Sequence, residues 1–407
     1  MPWCEPRIVQ VRPTSRNSLL WRIGHRANTS TRMNAAPAPH VARGCLLLYR
    51  LLDIADSVDA NGLAAHFDEG RSVRRVALRH DAGSAPLTAR ALPLEIDLGA
   101  RTLTLASGTT LTGELRLRAF PFGVVSLLLE IPLDPHVALA SLLPRCAEAW
   151  DAPELDALAR DELDALAPTL RPFLEGPRPS PVVESYGVLF LEQLAPALLL
   201  PLDAELESLL ARIVLGETDP RPLARPEIED VLRHAWRYFD DDLALVHWNS
   251  AIVIDPGGSR DVPTILELAT SQLLELRVHD ERLDRELDRV YAELSRARRH
   301  GWWLFGARHV ALARAVEERL LEVVELADRA GNALKMSADF FLARVYLSAL
   351  RRVHVPLWRD SVDRKLVAFR DVYAVLKAEA ETRRARLLEW IIALLIAFEV
   401  AWTLVHE

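Results

Sequence analysis

Cysteine is scarce in this 407-residue chain: Cys4, Cys45 and Cys146 stand far apart. No CxxC or Cys/His spacing joins them, so neither a disulfide framework nor a structural zinc site is expected, and a reducing compartment suits that usage. Lysine is scarce too, with only Lys335, Lys365 and Lys377 among 49 basic residues. GxSxG and HExxH motifs are missing, which leaves nucleophilic and metal-assisted hydrolysis without support. A basic surplus is missing as well. The formal net charge of -8 argues against a nonspecific nucleic-acid binder, so no DNA partner is expected. What is present is 50% hydrophobic and 26% charged, which excludes a disordered or collagen-like chain. At about 100 to 200 residues per domain, two or three structural units are expected.

Residues 1–43 form the first of them, a disordered basic leader. Arg7, Arg12, Arg16, Arg22, Arg26 and Arg32 face the single acid Glu5 there, the composition of a transit peptide. The same arginine and alanine bias follows from GC-rich codon usage, common in bacteria, and then Met33 is the true start. We favour the second reading.

Residues 44–258 read as an α+β globular domain. Leu94, Ile96 and Leu98 alternate with Glu95 and Asp97, and Leu103, Leu105 and Leu111 to Leu117 continue the pattern, punctuated by Gly99, Gly108 and Gly113. Phe122 to Ile131 is an apolar run suited to a strand buried on both faces. Helices are expected from Pro135 to Trp150, Pro153 to Ala167, Asp203 to Leu215 and Glu227 to Phe239, with a strand from Val182 to Leu191. The proline-rich stretch 168–181 is a sub-boundary candidate. Leu243 to Trp248 and Ala251 to Ile254 form a hairpin across Asn249-Ser250, and Asp255 to Arg260 (DPGGSR) lacks the lysine and spacing of a phosphate loop, so it reads as a hinge.

Residues 259–386 are expected to be all helical, an antiparallel coiled-coil hairpin. Leu273, Leu276, Leu283, Leu287, Val290, Leu294 and Ala297 keep a and d spacing, interrupted by Asp280. A second arm follows from Ala313 to Leu334 after a turn at Gly301 to Gly306. Pro356 ends the next helix, and a last one begins near Trp358 with the stripe Val362, Leu366, Phe369, Tyr373 and Leu376.

That helix leads into Leu387 to Val405, LLEWIIALLIAFEVAWTLV. Its span of about 28 Å is close to a hydrocarbon core of about 30 Å. Nine Leu, Ile, Phe or Val residues supply roughly -3 to -5 kcal/mol, against a cost for Glu399 of up to about 3 kcal/mol. The expectation is a single transmembrane helix with Trp390 and Trp402 as interfacial anchors and Ile391, Ile392, Leu395, Ile396 and Glu399 inside. Arg383, Arg384 and Arg386 place the bulk of a tail-anchored, single-pass protein on the cytoplasmic side. The competing reading is the buried end of a helical bundle.

The chain resembles the Required-for-Meiotic-Nuclear-Division family, a domain of unknown function with bacterial, fungal and mitochondrial members. The residues that carry the resemblance are Leu388-Glu389-Trp390-Ile391-Ile392, Leu395-Ile396 and Glu399-Val400. DFFLARVY at Asp339 to Tyr346, SVDRKL at Ser361 to Leu366 and Phe122-Gly123-Val124-Val125 support it. The resemblance implies a membrane anchor behind a helical hairpin, at the bacterial inner membrane or the matrix face of the mitochondrial one, and a link to mitochondrial translation and to meiosis or sporulation. It implies no catalytic residue. Ser126 to Glu130 departs from the aromatic-rich end usual after that strand.

Three candidate sites remain. Asp240-Asp241-Asp242 with His247 fits no calcium loop and reads as a turn cap, and His234 as a surface helix residue. Arg296, Arg298, Arg299, His300, Trp302, Trp303, Arg308 and His309 form a basic, aromatic hairpin tip suited to anionic lipid or structured RNA, or else tryptophans folded onto the bundle. The a/d stripe that continues into the apolar tail suggests self-association. The expected function is therefore a membrane-anchored, self-associating scaffold without catalysis, cofactor or metal. The alternatives are a tether for RNA or ribosomes and a metal-dependent membrane enzyme built on the acidic cluster.

Overall fold

The computed structural model describes residues 38–67, 72–78, 92–180, 182–198, 201–299 and 340–406. Strand β1 (His40–Asp53) is 14 residues long and buried along most of its length. Its odd positions Cys45, Leu47, Tyr49 and Leu51 enter one hydrophobic core, and Leu46, Leu48 and Leu52 enter another on the opposite face. A strand alternates its side chains across the sheet, so a run apolar at every position has a core on both sides.

After β1 come β2 (Ser57–Val58), α1 (Ala60–Phe67), β3 (Val73–Arg75), β4 (Leu94–Thr104), β5 (Thr110–Ala119), β6 (Val124–Pro132) and β7 (Val137–Ala138). Next are α2 (Leu142–Trp150), α3 (Pro153–Leu170), β8 (Leu174–Glu175), β9 (Val183–Ala195), α4 (Ala204–Leu215) and α5 (Arg225–Leu232). Strands β10 (Ala235–Trp236), β11 (Leu243–Val246) and β12 (Ser250–Ile254) lead into three helices, α6 (Asp261–Arg299), α7 (Phe340–Arg352) and α8 (Val355–His406).

Among the described residues, ten strands form one sheet in the order β10-β11-β12-β9-β1-β6-β5-β4-β3, with β7 paired to β1, while β2 and β8 pair separately. Only the β9–β12 pair among these is parallel. Leu48 of β1 faces Leu129 of β6 and Gly187 of β9. Residues of α1 to α5 join the core on one face, and those of α6 to α8 join the core on the other. The sheet is thus the middle of three layers, as expected when both of its faces are apolar.

Local chemistry fixes several of these elements. Asp203 caps α4 by accepting the Leu206 N–H at 2.7 Å, and Gly216 ends it at φ 67. Gly123 turns β5 into β6 at φ 92, where a Cβ would lie 1.9 Å from the Ala55 carbonyl oxygen. Only glycine fits that turn. The stretch 168–181 is bonded into the fold: β8 pairs with β2, and Arg178 pairs with Asp53 at 2.6 Å and with Asp56.

Asp280, the charge inside the a/d stripe of α6, is 7% exposed. Lys365 of α8 reaches its carboxylate at 2.8 Å, and the Ser361 hydroxyl donates to it at 2.8 Å. The apolar stripe of α6 packs against Leu342, Val345 and Tyr346 of α7 and Val362, Leu366 and Phe369 of α8. The expected second arm, Ala313 to Leu334, lies outside the described residues.

Two expectations are corrected. The helix expected from Glu227 to Phe239 ends at Leu232, and β10 pairs with β11 instead. The Asp242 carboxylate accepts the N–H groups of Tyr238 at 2.8 Å and Phe239 at 3.0 Å, which closes the turn between β10 and β11.

The transmembrane helix is the second correction. Among the described residues no helix is long and apolar enough to cross a membrane. Glu389 and Glu399 bracket a charge-free run of only nine residues, Trp390 to Phe398, about 14 Å long against a hydrocarbon core of about 30 Å. The single-pass anchor and its cytoplasmic orientation are withdrawn with it.

Candidate functional site

Strand β5 alternates Leu115 and Leu117, which enter the core under α1 to α5, with Arg116 and Arg118, which point to the α6 face. Glu130 of β6 and Arg74 of β3 reach the same face, and Tyr49 and Leu47 of β1 continue it. Arg260, just before α6, closes the ring. These residues line a cavity of about 490 Å³ between the sheet and the first turn of α6, where Pro263 and Thr264 form part of the wall.

Carboxylates hold the guanidinium groups in place. Arg118 is 7% exposed and donates through Nε to Glu95 at 2.7 Å and through Nη1 to Glu267 of α6. Arg74 pairs with Glu95 at 2.6 Å, Arg116 with Glu130 at 2.5 Å and Arg260 with Glu130 at 2.8 Å. Arg75 donates to the neutral amide oxygen of Asn61 at 2.5 Å. Among the described residues five arginines thus meet three carboxylates, Glu95, Glu130 and Glu267, while Glu192, 3.9 Å from Arg260, is paired with Arg43, which leaves a surplus of two positive charges.

Burial shapes the titration of these groups. It raises the Glu95 carboxyl, but Arg118 and Arg74 outweigh it and hold the group below the ordinary carboxylate range. Glu130 behaves alike, with Arg260 and Arg116 prevailing over burial. Glu267 is fully buried, and burial raises it despite the pull of Arg118. Its Oε1 has no hydrogen-bond partner. Arg118 stays charged: burial works against its proton, but Glu267, Tyr49 and Glu95 prevail. Burial pushes the Cys45 thiol up to about 12, although Arg260 donates to its Sγ at 3.0 Å.

The cavity was missed from sequence because alternating Leu and Arg reads as a strand with one wet face. The available signal was the charge pattern itself, Glu95, Arg116, Arg118 and Glu130 on neighbouring strands of one face.

The expected anchor residues lie on α8. Leu388, Trp390, Ile391, Ile392, Leu394, Leu395, Ile396, Phe398, Val400 and Trp402 are each more than half exposed, and Phe398 stacks on Trp402 with ring centroids 6.1 Å apart. Arg298 and Arg299 close α6, whereas Trp302, Trp303 and Arg308 lie outside the described residues. His234, just after α5, donates through Nδ1 to the Asp230 carbonyl oxygen at 3.0 Å. Among the described residues no group of three His, Cys, Asp or Glu side chains is placed to hold a metal ion.

A three-layer sheet domain with a helical extension and no assigned chemistry is the class these features define. Residues 43–260 match the family described as "Uncharacterized protein MJ0711, N-terminal domain". That is more than half of the chain, which belongs to this family. The chain is also similar to "Uncharacterized protein MJ0711" of Methanocaldococcus jannaschii, at 23% identity over 198 residues, covering 48% of this chain and 59% of that relative. The matched region therefore spans under two thirds of the relative's length. No solved structure matches. The family match begins in β1 and stops at Arg260, one residue before α6. It names the MJ0711 family and not the Required-for-Meiotic-Nuclear-Division family.

Proposed function

We propose that this chain is a self-associating interaction protein, a scaffold or adaptor that acts by holding partners rather than by catalysis. The observation that carries the reading is the C-terminal half of α8, where ten large apolar side chains between Leu388 and Trp402 are more than half exposed. A helix apolar all round is stable in water only when covered. At about 150 to 200 Å² per large side chain, the exposed patch is roughly 1,000 Å², above the ~800 Å² per partner of a standard interface.

The occupant we favour is the same helix from further copies of this chain. Identical helices meet at equal concentration, and closed symmetric association covers each with the same surface. Leu388, Ile391, Leu395, Phe398 and Trp402 keep 3-and-4 spacing, and Ile392 and Ile396 add a second stripe. Two stripes favour a bundle of more than two helices. The residues that chiefly carry the resemblance to the Required-for-Meiotic-Nuclear-Division family, Leu388 to Ile392, Leu395-Ile396 and Glu399-Val400, lie on the same helix.

Sedimentation velocity of the full chain tests the reading. We expect an oligomer at micromolar concentration that dissociates when Ile391, Leu395 and Phe398 are replaced together by Glu. A monomeric parent chain, or an oligomer indifferent to the triple change, refutes it.

A further inference from the structure

The cavity at the start of α6 has a charge surplus that the fold does not use. We propose that it binds a small organic phosphate, held as a dianion by the arginines and seated against the first turn of α6. Four observations carry the assignment.

The first is charge. Five guanidinium groups and three carboxylates leave two positive charges over, and Arg75 has only the neutral Asn61 amide as its hydrogen-bond acceptor among the described residues. A phosphate monoester near neutral pH carries about two negative charges on one group of oxygens, which matches that surplus. Guanidinium forks suit phosphate geometry better than ammonium groups do.

The second is the helix. Pro263 and Thr264 belong to the first turn of the 39-residue α6 and line the cavity. That turn also carries the buried acid Asp261, and the Thr264 N–H is taken by the Arg260 carbonyl, so it serves as a wall while the arginines supply the charge.

The third is size and lining. A volume of about 490 Å³ falls within the ~300 to 1,000 Å³ of small-molecule sites. Leu47, Leu128 and the ring of Tyr49 give the cavity an apolar part of its lining, where the organic part of the ligand would lie.

The fourth is the buried foundation. Arg118 is locked between Glu95 and Glu267, so its guanidinium is positioned before any ligand arrives. Preorganised donors lose little entropy on binding. A cation is disfavoured by the positive surplus, and a polyanion by the formal charge of -8 on the whole chain.

Calorimetric titration of the full-length chain with inorganic phosphate, pyrophosphate, AMP and ATP tests the proposal, with succinate and citrate as dicarboxylate and tricarboxylate controls. We expect at least one phosphate compound to bind once per chain with a Kd below about 1 mM. Arg75→Gln should weaken it at least about tenfold, the loss of one charge-assisted bond. Arg75 is exposed, so its replacement should leave the melting curve in place. Arg116→Gln gives a second variant, accepted only if its melting curve also holds.

No binding by any phosphate compound overturns the proposal. So does succinate or citrate binding as tightly as the best phosphate, or an affinity unmoved by both substitutions. The Ile391, Leu395 and Phe398 triple variant should bind as well as the parent chain, so failure of the self-association reading does not mimic failure here.

Discussion

Replacing Arg118 by Met removes one cation from between two buried carboxylates. Arg118 is 7% exposed in its side chain, Glu95 4% and Glu267 0%. Glu95 keeps Arg74 at 2.6 Å, but Glu267 loses the cation that Arg118 supplies and already has one oxygen without a partner. Leaving a buried charge uncompensated costs about 3 to 5 kcal/mol. The double variant Arg118→Met, Glu267→Leu removes the orphaned charge along with its partner. It should recover most of that loss, since apolar replacement of a buried pair is often near neutral.

The pH dependence has a definite sign. Without Arg118, burial and the Glu95 charge act on Glu267 against the Ser126 hydroxyl alone, and its folded-state pKa rises further above the unfolded value of about 4.3. The folded state then binds more protons than the unfolded one. The deficit of the single variant is smallest below that unfolded value and grows as pH rises through the folded one. Urea unfolding at pH 5 and pH 7, read by near- and far-ultraviolet circular dichroism, measures it. A single variant within about 1 kcal/mol of the parent, or a double variant no better than the single, refutes the claim that the pair is buried and mutually dependent.

Gly187→Ala should cost about 1 to 3 kcal/mol, since a Cβ there would lie 1.9 Å from Trp150 Cε3, and the Trp150 indole is anchored by donating to the Ile213 carbonyl at 3.1 Å. A melting temperature equal to the parent's would contradict that packing. Burial and the nearby charge of Arg352 push His247 down to about 4, below its ordinary 6.5. The unfolded state therefore binds the proton first, and stability falls as pH drops from about 7 toward 4. His247→Gln should flatten that fall in melting scans, and an unchanged slope would exclude His247 as its source. Lys365→Met should destabilise by about 2 kcal/mol, because Asp280 stays buried without its cation. Adding Asp280→Leu should restore most of it, and additive losses in urea unfolding would show that the two do not act as a pair.

Periodicity made much of the secondary structure legible. Leucines alternating from Leu94 to Leu117 mark β4 and β5, and Asp203 with Gly216 brackets α4, because pleat and capping act within a few residues. The same local rules failed after Leu232, where β10 replaces the continued helix and the Asp242 carboxylate closes the turn into β11. They failed again in the tail, where among the described residues no helix is long and apolar enough to cross a membrane.

By itself, then, the order of residues determined a mixed α/β chain with long C-terminal helices and strands apolar on one or both faces. Those properties depend on neighbours along the chain. Only the tertiary structure decided that β1 lies at the centre between β6 and β9, that β12 runs parallel to β9, and that α6 covers the charged face of β5. Residues 149 apart, Arg118 and Glu267, meet there. Hydrophobic patterning tells which face a side chain takes but not what will cover it, and so only the fold shows Arg118 as the buried support of a cavity.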